Sequence, residues 1–136
     1  MHYRTAVETD LEATLQSLYT PAIEVREKGF YPVAENERQI IWDIEEDNLV
    51  SQDSDSNERE VKILITLFAP TKPQREQLIV DVDTALTTSP PGPVQLFRLA
   101  RTVFGIQNVE ETMLFAAELE YRGSVCVITG DLTTVV

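Results

Sequence analysis

VKILITLFAPTKPQREQLIVDVDTAL, residues 61–86, decides the fold class of this chain. Its first part sets Val61, Ile63, Ile65 and Leu67 against Lys62, Leu64, Thr66 and Phe68. A period of two places these sets on opposite faces of a β-strand, and apolar residues in both sets mean that both faces are at least partly covered. After Ala69-Pro70, Thr71 stands as a helix N-cap with Gln74 three residues on, and Pro73 fits the first helical turn, where no amide hydrogen is needed. Leu78, Val82, Ala85 and Leu86 then recur at helical spacing, with Arg75, Glu76, Asp81 and Asp83 turned to solvent. The Ser89-Pro90-Pro91-Gly92-Pro93 stretch stops the helix.

Working outward, Val7, Leu11, Leu15 and Leu18 share one face of a helix predicted over 5–19, which Pro21 ends by disfavouring helical geometry at Thr20. Residues 23–33 read as a weak strand, the Lys28-Gly29 turn and an extended stretch. Ile40, Trp42 and Ile44 alternate with Ile41, Asp43 and Glu45 over 39–45, the pattern of a strand with one buried face and a natural neighbour for 61–68. Between them, the run 51–58 offers nothing apolar to bury and carries several like charges, so 46–60 is expected to be an acidic, mobile hairpin loop. Leu96, Leu99, Ala100 and Val103 predict a second short helix over 94–104, with Gly105 as its stop. Residues 113–121 alternate again, and Arg122-Gly123 is either a hairpin turn or a bulge before a last strand over 125–129. The expected class is α+β: a mostly antiparallel sheet of about four strands with helices packed on one face.

At 136 residues the chain supports one domain, 1–136, and one hydrophobic core. Cys126 is the only cysteine, so no intrachain disulfide forms, and among valines it reads as a small buried hydrophobe. The first ten residues lack the apolar core of a signal peptide, and no apolar run approaches the ~20 residues of a membrane helix. Acids number 23 and bases 11, a net charge of −12. Residues 1–60 hold 15 acids and 5 bases, residues 61–136 only 8 and 6. Few and scattered Lys and Arg argue against a DNA binder, because such binding depends on displacing phosphate counterions.

Chemistry-bearing patterns are thin. His2 is the sole histidine and sits at a chain end, a poor place for the base of a nucleophilic triad. The five glycines are too dispersed for a phosphate loop. Asp53, Asp55 and Asn57 copy the start of a calcium loop, but Glu58 replaces its turn glycine and Leu64 its closing glutamate. Glu118 and Glu120 share a strand face and could in principle do acid/base work, but such pairs are ordinarily the wet side of an amphipathic strand. Trp42, Phe68, Phe97 and Tyr121 lack the interleaved bases of a stacking surface and read as core or subunit contact. No catalytic residue, metal site or cofactor site is expected, and the chain is read as a non-enzyme. Asp53, Asp55, Glu58 and Glu60 are the candidate interface residues.

The strand, Phe68-Ala69-Pro70 and capped helix of 61–86 resemble the tail terminator, or tail completion, proteins of long-tailed bacteriophages. The order of leading helix, early strand, acidic hairpin, strand-Pro-helix unit and closing alternating strand is similar as well. The Pro-rich insert 89–93 and the helix expected after it depart from that pattern. The resemblance implies a structural virion protein of the neck or tail, made in the host cytoplasm. It implies a homo-oligomeric ring, sixfold, that caps the tail tube protein and meets the head connector or another neck protein. DNA would pass through its lumen unbound, a role that acidic walls suit. The rival readings are another neck component, a tail tube subunit, or a small acidic adaptor for a basic protein partner.

Overall fold

The strand expected over 61–68 is the centre of a six-stranded sheet. The computed structural model describes residues 2–21, 23–29, 37–52, 55–109, 111–128 and 131–135. In chain order the elements are α1 (Tyr3–Gln16), β1 (Glu24–Glu27), β2 (Gln39–Gln52), β3 (Ser56–Ala69), α2 (Lys72–Thr88), β4 (Gln95–Val109), β5 (Thr112–Ile128) and β6 (Asp131–Val135). The strand order is β1-β2-β3-β5-β4, with β6 paired to the far end of β5. β1 runs parallel to β2, and the other pairings are antiparallel.

This corrects the expected sheet of about four strands. The sheet is mixed, has six strands, and dominates the chain over its two helices. The largest correction is the helix predicted over 94–104, which is the first two-thirds of β4. Its spacing of Leu96, Leu99, Ala100 and Val103 imitates a helical stripe because β4 carries two register shifts, at 95/98 and 99/101. Each inserts a residue and breaks the period of two by which a strand is recognised.

The acidic stretch 46–60 is likewise not a loop through most of its length. Residues 46–52 and 56–60 continue the β2–β3 ladder, to the Gln52–Asn57 pair. Its polar side chains do not prevent pairing, because β3 is also held on its other edge by β5 from Ser56 to Ala69. At Gly123 the chain neither turns nor bulges: β5 continues straight, and the bulge belongs to β4 opposite. A Cβ at position 123 would lie 2.3 Å from Val94 Cγ1 and 3.0 Å from the Gln95 carbonyl oxygen, so glycine is required by space.

Helix α1 starts two residues before the expected position, with His2 Nδ1 accepting from the Arg4 amide as the cap. Helix α2 starts as expected: Thr71 Oγ1 accepts from the Gln74 amide at 3.3 Å. Val7, Leu11 and Leu15 of α1 join Leu78, Val82 and Leu86 of α2 in one core with Ile40, Trp42, Ile63, Ile65, Leu67, Leu119 and Tyr121. Each fully buried aliphatic side chain there stabilises the fold by ~1.5–3 kcal/mol. Tyr121 stacks on Phe97 at 4.9 Å between centroids and donates to Asp83 Oδ1 at 2.8 Å, tying β5 to both β4 and α2. Burial, and then that hydrogen bond, push its phenol far above the usual tyrosine range.

Candidate functional site: the open face and the free edges of the sheet

On the face turned away from the helices, β3 presents Glu58, Glu60, Lys62, Leu64, Thr66 and Phe68, with the even-numbered residues of β5 alongside. A charge lattice spans three strands here. Lys62 Nζ lies 3.0 Å from Glu45 and 3.4 Å from Glu120, Arg122 Nε lies 3.0 Å from Glu120, and Arg122 also pairs with Glu60. The hydrogen bond from Arg122, together with Lys62, holds the Glu120 carboxyl below the usual range against an opposing desolvation. The hydrogen bond to Glu45 raises the Lys62 ammonium. A carboxylate held ionised in this way is a poor proton donor.

Three of the four candidate interface residues fall among the described residues. Glu60 is committed to Arg122, Glu58 is half-buried and accepts from Ser51 Oγ at 3.4 Å, and Asp55 is exposed at the β2–β3 turn. Asp53 lies outside the described residues. Asn57, part of the rejected calcium-loop pattern, is buried in the ladder between Gln52 and Val127. Trp42, Phe68 and Tyr121 are buried and Phe97 is packed against the core, in keeping with core rather than stacking roles.

The feature that periodicity hid is β4. It is the terminal strand of the sheet order, so among the described residues no strand pairs with its outer edge. Exposed apolar side chains line it: Leu96 is 78% exposed, Phe104 55% and Ile106 58%, and Met113 joins them from the adjoining end of β5. Leu96 is held in the left-handed region at φ 54°, a conformation that strains any residue with a β-carbon. The charged residues of β4 are Arg98 and Arg101, without an acid, in a chain of net charge −12. Arg75, expected on the wet side of α2, is buried instead. It lies over the Phe104 ring at 4.8 Å, bonded to Glu76 and the Ala116 carbonyl.

A second edge is open on the far side. β1 covers β2 only from Gln39 to Trp42, so the rest of β2 has no strand on its outer side among the described residues. Leu49 and Val50 are exposed there. A sequence signal for β4 did exist: Val94, Phe97, Val103, Phe104, Ile106 and Val109 are strand-favouring types.

A shallow cleft of about 510 Å³ separates α1 from α2, lined by Thr14, Ser17, Leu18, Asp81, Thr84 and Thr88 among others. Asp81 is its one carboxylate and accepts from Tyr19 Oη. Among the described residues no three His, Cys, Asp or Glu side chains gather as a metal site. Among the described residues no helix is long and apolar enough to cross a membrane.

The chain matches no family model and no curated protein. Among solved structures it is similar to a chain described as "Virion of native gene transfer agent (GTA) particle". The identity is 14%, the match covers 90% of this chain and 93% of that one, and the TM-score is 0.48.

Proposed function

We propose that this chain is a structural subunit of a tailed-phage-like particle, a tail-terminator-like protein that closes into a ring on the end of the tail tube and joins it to the head connector. The observation that carries this reading is the exposed, apolar and basic edge strand β4 on an otherwise acidic chain. Soluble proteins blunt long edge strands, and one left open and apolar is a surface made for another chain. A sixfold ring needs a different patch on each side of the subunit, and β4 and the outer part of β2 provide two. The net charge of −12 suits a lumen that DNA traverses without binding. In this reading the chain is not an enzyme, holds no cofactor, and works in the neck or tail of the particle after synthesis in the host cytoplasm. The adaptor alternative is weakened because Glu60 is occupied by Arg122 and Glu58 is half-buried.

The test is the mass of the purified protein by native mass spectrometry and light scattering across concentration and salt. A closed ring, formed alone or on added tail tubes, is expected. Open-ended polymers would point to a tube subunit instead, and a stable dimer indifferent to tubes would overturn the reading.

A further inference from the structure

We infer that the β4 edge of one subunit pairs antiparallel with the outer edge of β2 in a second copy, in the register that sets Arg101 opposite Asp43. The inference rests on the ring reading above and specifies its subunit contact.

The register follows from tracing residues that lie side by side across the sheet. Arg101 pairs with Glu120, Glu120 with Leu64, and Leu64 with Asp43, so Arg101 and Asp43 stand at one level on opposite edges. Arg98 stands level with Glu46 by the same route, through Arg122 and Lys62. Gln95 stands level with Asn48 through Ser124 and Glu60. Copies related by rotation about a ring axis, with no axial shift, therefore bring residues 95–101 of one against 43–48 of the next.

Three independent features agree with that contact. The direction is right: β2 and β5 run the same way and β4 runs opposite, so a neighbour in the same orientation meets β4 antiparallel, the geometry of ordinary strand addition. The charge is right, because 95–101 carries two arginines and no acid, whereas 43–48 carries four acids and no base. The step in the edge is accommodated too. The neighbour's β1 starts to cover β2 at Trp42, which is level with Thr102, and β4 has its register shift at Leu99/Arg101, immediately before that level. A bulge there puts a local bend in β4 at the level where the neighbour's β1 would begin.

The experiment is a charge exchange in the full chain. Arg101→Asp and Asp43→Arg each place like charges across every contact, and each is expected to raise the concentration needed for assembly at least about tenfold. The double variant Arg101→Asp/Asp43→Arg restores opposite charges at every contact and is expected to recover most of the assembly. Thermal melts of the dilute monomers establish that each variant is folded. Amide hydrogen exchange on the unmodified protein supplies a second readout, with slowed exchange on assembly expected at 95–101 and 43–48. If the unmodified protein assembles but the double variant does no better than the single ones and exchange in these segments is unchanged, this contact is wrong while the ring reading stands. If the unmodified protein forms no ring, alone or on tail tubes, both fall.

Discussion

Replacing Gly123 by alanine asks a methyl group to occupy space that β4 already fills. The new Cβ would lie 2.3 Å from Val94 Cγ1 and 3.0 Å from the Gln95 carbonyl oxygen, where relaxed carbon contacts need ~3.5–4.0 Å. Val94 is buried in the core and Gln95 is held in the ladder by Ser124, so relief requires moving the β4 bulge. Forcing an extra methyl into a packed region costs ~1–3 kcal/mol. The reduced freedom of alanine in the unfolded chain offsets ~0.4–1 kcal/mol of that. For a domain of this length each kcal/mol lowers the melting temperature by about 3–5 °C, so a fall of up to about 10 °C is expected.

Thermal and urea unfolding read this directly, and Val94→Ala provides the control. Alone it destabilises by ~1–3 kcal/mol through lost burial. In the Gly123→Ala chain it removes the clashing Cγ1, so the pair should be less destabilised than the sum by ~1 kcal/mol or more. A strictly additive cycle would refute the claim that crowding by β4 fixes this glycine.

Tyr121→Phe keeps the stack on Phe97 but leaves the half-buried Asp83 without its donor; a loss of ~1.5–3 kcal/mol is expected by urea unfolding. Thr71→Ala removes the hydroxyl that caps the first turn of α2 and should cost ~1 kcal/mol in the same assay. Because Glu120 is held below its ordinary value of 4.5 when folded, its contribution is fully present above that pH and is lost as pH falls through the lower folded value. Glu120→Gln should therefore flatten the acid limb of the stability profile, measured by thermal melts stepped downward from pH 5 (about half a unit above the ordinary value). Lys62 titrates in the opposite sense: its value is raised from 10.5, so its contribution holds below that pH and is lost only as alkalinity passes the folded value.

The helices that form the core layer were legible because their signals are local and redundant. Thr71, Gln74 and Pro73 mark the start of α2, and Leu78, Val82 and Leu86 mark its buried face, all within one segment. Trp42 and the alternation in β3 were legible for the same reason. The acidic arm was misread because composition speaks to whether a segment can bury surface, not to whether a neighbouring strand supplies a ladder. β3 between β2 and β5 supplies one to residues 56–60. Of the candidate interface residues, Glu58 and Glu60 have local partners in Ser51 and Arg122, which no local sequence signal placed beside them.

The failure at β4 has a different origin. A strand with one face on a core tends to alternate, and that alternation is what a reader of sequence detects. Among the described residues β4 meets a neighbouring strand on one edge only, and most of its apolar side chains are exposed. Nothing within the subunit demands a regular pattern from it, so two bulges and a strained Leu96 are tolerated. On the inference above, the irregularity that disguised β4 as a helix and the apolar edge that exposes it share one cause, a packing that β2 of a second copy would complete.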